Sequence, residues 1–316
     1  MHEVESLAYY GETPWHTLGK RLIVPPKTVE EAIIEGGLNW PVALAPLLAD
    51  FEGEYLDTDH YAVIRTTDKM RLGIVGSGYT PMQNHETFKF FQPVMDTGKV
   101  AIETVGSLRG GRRVFMLARV NNACADVVKG DEVRAFFLLS NSHDGTVRAR
   151  LGFTETRVVC MNTLGAAHKG DLLSIRHTKN AVAAIKDVHD LINWTTREFE
   201  GSVQQMQALA RKGVTPKTLR KFVRDVFRKD VEETTVGEDQ EEQKFARLEA
   251  TVIPLFEQGR GNDLPGVRGT MWAAYNAVSE YLTWERGHSI HTRLDSLWFG
   301  DSAKLNQKAF KLALAA

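Results

Sequence analysis

The chain is poor in cysteine: Cys124 and Cys160 are the only two in 316 residues. Two thiols make neither a disulfide framework nor a zinc site, and the expectation is reduced thiols in a cytosol. No apolar run approaches the ~20 residues of a membrane-spanning helix. The opening Met1-His-Glu-Val-Glu5 is acidic, unlike a secretory leader. Phosphate-loop signatures are missing too. Gly73-Ile-Val-Gly-Ser-Gly78 lacks the dinucleotide spacing and its acidic partner, and no Gly-Lys-Ser/Thr occurs. The histidines His60, His85, His143, His168, His177, His189, His288 and His291 are scattered. His288 and His291 have a helical spacing, but no third ligand is placed beside them. No metal and no cofactor are expected.

Nor is there a large net charge; the formal value is -1, and the apolar and charged fractions, 43% and 25%, are those of an ordinary globule. The distribution is uneven. Residues 101 to 230 carry an excess of about +9, counting Lys and Arg against Asp and Glu. An acidic run follows through Glu232, Glu233, Glu238, Asp239, Glu241 and Glu242. Within the basic block lies the stretch around which the chain is organised. Val133 to Asn141 is apolar and β-rich. Asp144-Gly145 is a hairpin dipeptide of the type I′ class. In the next strand Val147, Ala149, Leu151 and Phe153 alternate with Arg148 and Arg150, so one face feeds a core and the other carries guanidinium groups.

Residues 1 to 26 read as irregular, broken by Gly11, Pro14, Gly19, Pro25 and Pro26, with Trp15-His16 as a packing anchor. Thr28 caps a helix with Glu31 as reciprocal partner, and Gly36-Gly37 ends it. Strands are expected over 55–65, 70–75, 100–104 and 113–120. Asn84 caps a helix disturbed at Pro93. Gly106-Ser-Leu-Arg-Gly-Gly-Arg-Arg113 reads as a flexible basic hairpin tip. From Thr178 the period becomes helical up to Gly213, an amphipathic helix about 50 Å long if unbroken. Thr215-Pro216 opens a basic amphipathic helix with Lys217, Arg220, Lys221, Arg224, Arg228 and Lys229 outside. A helix across Pro254, an aromatic one over 270–286 and a last one capped by Ser302 complete the chain. The expected fold is α+β: a mostly antiparallel sheet with a long amphipathic helix, followed by a helical part, with domains over 1–177 and 178–316.

Ser142-His-Asp-Gly145, Arg157-Val-Val-Cys-Met-Asn-Thr-Leu164 and Thr270-Met-Trp-Ala-Ala-Tyr-Asn-Ala-Val-Ser-Glu-Tyr281 are distinctive. With Pro14-Trp-His-Thr-Leu-Gly19 and Tyr79-Thr-Pro-Met-Gln-Asn84, they make the chain resemble the phage/plasmid-like uncharacterised family, domain of unknown function 932, over nearly its whole length. That resemblance implies a mobile-element context and no particular activity.

The residues themselves point first to binding. Arg109, Arg112, Arg113, Arg148, Arg150, Arg157 and Lys169 form a basic set suited to phosphates, since arginine grips phosphate in a fork. Hairpin, strand and long helix follow the order of Rad52-like single-strand annealing proteins, a fold-level analogy. Phe136, Tyr79 or His143 would supply base stacking. The expected partner is single-stranded DNA, in replication or recombination, with a homo-oligomer in the host cytoplasm and no catalysis. Two alternatives stay open: a protein-interaction factor acting on host defence through the acidic 232–242 run, and an enzyme using His143 with Asp144 and Cys160.

Overall fold

The structure, a computed structural model, describes residues 4–12, 14, 17–146, 149–157, 162–164, 173–175, 188–235, 237–287 and 289–316. The side chains of residues 157, 162–164, 173–175, 188–190 and 291 are also left undescribed. The chain divides into two compact units, each assembled from separated segments. The first comprises Met1–Asn122, Phe136–Phe153 and Lys169–Asn193; the second comprises Ala123–Ala135, Thr154–His168 and Trp194–Ala316. The expected boundary at 177/178 lies outside the described residues.

The order opens with β1 (Val4–Tyr10), β2 (Lys20–Leu22), α1 (Val29–Glu35), β3 (Val42–Phe51), β4 (Glu54–Arg65) and β5 (Met70–Gly76). Then come α2 (Asn84–Lys89), α3 (Gln92–Asp96), β6 (Val100–Leu108), β7 (Arg113–Asp126), β8 (Glu132–Ser142), β9 (Ala149–Arg157), β10 (Asn162–Leu164) and β11 (Leu173–Ile175). The helical part is α4 (Val188–Ala210), α5 (Pro216–Glu232), α6 (Glu238–Gln258), α7 (Met271–Glu280) with a π-turn over Tyr281–Glu285, α8 (Ile290–Phe299) and α9 (Asp301–Ala315). The fold is α+β, as expected. One sheet has the order β10-β9-β8-β7-β6-β1-β2 with β11 also on β9; a second has the order β3-β4-β5.

Local signals account for several elements. Thr28 Oγ1 accepts from Glu31 N–H at 3.1 Å, while the Glu31 carboxylate reaches back to Lys27 N–H at 2.7 Å, one residue before the expected partner. α5 begins on the Thr215 cap with Pro216, and α6 runs through Pro254. Asn84 and Ser302, expected as caps, lie inside their helices; Gln83 and Gly300 occupy the cap positions. Both side chains are drawn inward instead: Asn84 bonds Leu38 O, and Ser302 Oγ accepts from Ser296 Oγ.

Strands β1, β2 and β3 arise where no pattern pointed to them. β1 pairs antiparallel with β6 and parallel with β2, so long-range partners supply the order that residues 1–26 lack locally. β3 contains Pro46, which has no N–H to donate and is tolerated because β3 is an edge strand. The amide of Gln83 bonds both N–H and C=O of Val42, at 2.9 Å each, and pins the start of that edge. The β3–β4 turn has type I′ character: Glu52 and Gly53 have φ of 55° and 88°. Asp144 has no positive φ, so the Asp144-Gly145 turn is of another kind.

Packing follows the inward faces. In β9, Ala149, Leu151, Phe153 and Glu155 are all buried; Arg150 and Gly152 between them are half-buried, and Thr154 is buried as well. β8 is buried almost throughout, as befits a strand covered on both faces.

Candidate nucleic-acid interface

β6 and β7 are joined by Arg109–Arg112, at one end of the larger sheet. Arg109, Gly110 and Gly111 all have positive φ. A Cβ at Gly111 would lie 2.8 Å from Arg65 Nη1 and 3.0 Å from Glu5 Oε2; one at Gly110 would lie 2.8 Å from Met70 Cε. The glycines therefore let this turn seat on Arg65. The expected loop is shorter than Gly106–Arg113, because Gly106, Ser107 and Leu108 belong to β6.

Arg65 is the fixed cation beneath it. It is buried, pairs with Glu5 at 2.7 Å and Asp68 at 2.6 Å, and lies over the Trp40 ring at 5.1 Å. The Asp68 bond first, then the Glu5 bond, raises its pKa above the ordinary arginine value. This guanidinium is committed to the protein.

The predicted arginines are placed unequally. Arg112 is exposed, and its carbonyl accepts from His143 N–H at 2.8 Å. That bond sets the β6–β7 turn beside the 143–146 turn. Arg113 is buried and reaches Thr146 Oγ1 at 3.4 Å, so it does not join an exposed set. Arg109 and Arg150 are half-buried; Arg150 lies on the face of β9 opposite Ala149 and Leu151. Arg148 and Lys169 lie outside the described residues, as does the side chain of Arg157, whose backbone ends β9 opposite Asn162.

The 142–146 turn is an internal joint. His143 is fully buried and its Nε2 contacts Asn84 Oδ1 at 2.8 Å. Asn84 Nδ2 donates to Leu38 O, which fixes the amide so that Oδ1 faces the imidazole as acceptor and Nε2 carries the proton. The ring meets Trp40 edge-on at 5.2 Å. The Asp144 carboxylate accepts from Thr146 N–H at 2.9 Å and closes its own turn. Gly73 allows the approach from the other side, where a Cβ would lie 2.5 Å from Asp144 Cα. That contact explains one glycine of the 73–78 run.

Of the proposed stacking residues, Phe136 and His143 are buried and Tyr79 is half-buried. Tyr79 donates to Ser142 O at 3.3 Å. Burial first, and then the Asp144 charge, raises the Tyr79 pKa. The cysteine-histidine-aspartate arrangement has no described geometry, because Cys160 lies outside the described residues; Cys124 is exposed and free. Among the described residues no group of three or more His, Cys, Asp or Glu is placed to hold a metal, and no helix is long and apolar enough to cross a membrane.

The family model for a domain of unknown function (DUF932) matches residues 71–308. The chain is a member of the DUF932 family. Comparison with curated proteins and with solved structures yields no match. The DUF932 match takes in the His143 joint, the basic turn and α7, and leaves β1–β4 outside it. Sequence reasoning missed Arg65 and Gln83 and read Asn84 only as a cap. Apart from Asp68, three residues after Arg65, their polar partners lie 41 to 60 residues away, where local spacing does not report them.

Proposed function

We propose that this DUF932 protein binds nucleic acid, single-stranded DNA foremost, in replication or recombination of a mobile element. One observation carries the reading. The Arg112–His143 main-chain bond brings the Arg109–Arg112 turn alongside the turn that leads to Arg150, so the exposed and half-exposed arginines share one end of the sheet. Arginines on a sheet edge, with Phe136 and His143 buried, suit backbone contacts that tolerate any sequence. Fluorescence anisotropy at about 50 and 200 mM salt tests this. Wild type should bind single strands at low salt and release them at high salt. The Arg112→Ala, Arg150→Ala double variant should bind more weakly, with a log–log salt slope shallower by about 1 to 2. A wild type that binds no oligonucleotide at low salt rejects the reading.

A second reading rests on the β3–β4 ribbon. Phe51 and Tyr55 at its tip are 63% and 74% exposed, and Leu48 and Leu56 are exposed behind them. Asp50, Glu52, Glu54, Asp57 and Asp59 make the same tip acidic, which turns it from phosphates. Exposed aromatics ringed by charge mark a protein-binding arm. We read its partner as a basic surface of a second copy, since acidic tips repel each other. Light scattering should show an oligomer that dissociates in the Phe51→Ala, Tyr55→Ala variant and at high salt. A monomeric wild type at tens of micromolar would sink this.

A further inference from the structure

The second unit carries its own basic surface, and its ion pairs show which cations are committed. Residues 201–224 contain no acidic side chain. On α5 the C-terminal cations are neutralised within the unit. Arg224 bonds Glu242 at 2.6 and 2.7 Å and Glu249 at 2.5 Å; Lys221 and Arg228 share Asp225; Lys229 pairs with Glu233. The cations at the other end are exposed: Arg211, Lys212, Lys217 and Arg220. Among the described residues none of them has an ion pair.

Arg268 joins them through the backbone. Met271 N–H donates to Lys212 O at 2.7 Å, Val214 N–H donates to Gly269 O at 2.9 Å, and Gly213 bridges Thr270. The 266–270 loop is thereby sewn to the α4–α5 turn, and exposed Arg268, also without an ion pair, lies one residue from the seam. Lys217 and Arg220 stand one turn apart on a single face of α5. Asp263 is the one acid on the loop between Gly259 and Thr270.

We propose that this surface, the α4–α5 turn with the 266–270 loop, is a second phosphate-contact site through which the chain grips the backbone of nucleic acid. Lys217 and Arg220 on α5, Arg211 and Lys212 before it, and Arg268 beside them are its contacts. The surface lacks what a protein partner would need. None of its residues is a large exposed apolar side chain, whereas protein interfaces centre on buried apolar and aromatic anchors. Unneutralised cations on a rigid, glycine-spaced frame are what a phosphodiester chain requires. This inference rests on the nucleic-acid reading and assigns it a site in the other unit.

The test is anisotropy with labelled single- and double-stranded oligonucleotides, comparing wild type with the Lys217→Glu, Arg220→Glu variant and a Lys229→Glu control. Both substitutions sit in the first turns of α5, where added negative charge suits the helix dipole, so folding is retained and circular dichroism confirms it. The double reversal should weaken binding by about tenfold or more at 50 mM salt and flatten the salt slope by about 2. The control should shift binding less than twofold. Wild-type binding that the double reversal leaves unchanged overturns this site while the sheet-end arginines keep theirs. No wild-type binding at all removes the nucleic-acid reading and this site with it. Competition by poly-glutamate as strong as by unlabelled oligonucleotide would assign the surface to acidic protein and overturn the proposal.

Discussion

Glu155→Gln should make the protein more stable at pH 8.5 than the wild type, and should abolish most of a loss of stability that the wild type suffers between about pH 4.5 and 8. Glu155 is the inward residue that follows Ala149, Leu151 and Phe153 along β9, and it is fully buried. Among the described residues neither carboxyl oxygen has a hydrogen-bond partner of normal geometry. Burial drives its pKa up to about 8, and a weak bond from Ser202 opposes the rise. An unfolded chain releases this proton near 4.5, while the folded chain keeps it to about 8. Through that window the folded state binds more protons than the unfolded state, so stability falls as pH rises. At about 1.4 kcal/mol per pH unit the whole window is worth roughly 4 to 5 kcal/mol. Glutamine keeps the shape and carries no proton to lose. Urea midpoints at pH 5 and 8.5 measure this. Parallel pH profiles for wild type and variant would refute the placement of a protonated carboxylic acid inside the second unit.

Glu155 also marks how far the sequence could be read. The alternation through β9 was visible, because period-two burial is written into Ala149, Leu151 and Phe153. The next inward position holds a carboxyl group, which no sequence pattern places inside, since a glutamate normally argues for solvent. Caps fared unevenly for a similar reason. Thr28, Thr215 and Thr270 are local devices and act within three residues. Asn84 looked the same in sequence, yet a partner at Leu38 and an imidazole at His143 claimed its amide. The Asp-Gly dipeptide signalled a turn correctly but gave its class to the Glu52-Gly53 tip.

The basic stretch shows the same division at the level of the site. Composition located an excess of positive charge, and nothing in spacing separates a free cation from a committed one. Arg65 is held by Glu5 and Asp68, Arg113 is buried, and Arg224 is gripped by two glutamates contributed by α6. Arg112, Lys217 and Arg220 differ from them only in what the fold sets nearby. The outer face of α5 reads as one uniform basic stripe, and the acids of α6 divide it. The acidic 232–242 run thus has an internal use through Glu242, which weakens its claim as a docking patch.

Trp272→Ala should cost the second unit about 5 to 8 kcal/mol, enough to unfold a domain of ordinary stability. Trp272 is fully buried in α7, where Thr270 caps the first turn and every residue from Met271 to Glu280 is buried. Its ring stacks on Tyr275 at 5.6 Å, and Tyr275 in turn meets Phe310 edge-on at 5.2 Å. Truncating such a ring costs about 3 to 5 kcal/mol through lost burial and the cavity left behind. The indole has a second task. Nε1 donates to Asp131 Oδ2 at 2.7 Å, and Asp131, at the β7–β8 turn, is fully buried. Removing a donor from a buried carboxyl group adds about 1.5 to 3 kcal/mol. Trp272→Phe separates the two parts, since it keeps most of the apolar ring and deletes the donor; a loss of about 2 to 3 kcal/mol is expected. In an Asp131→Asn background, where the acceptor survives without a full charge, the same Trp272→Phe change should cost about half as much. Urea denaturation of the four proteins gives the coupling directly. If Trp272→Phe is as stable as wild type, the indole–carboxyl bond contributes nothing, and the aromatic stack alone holds α7 in place.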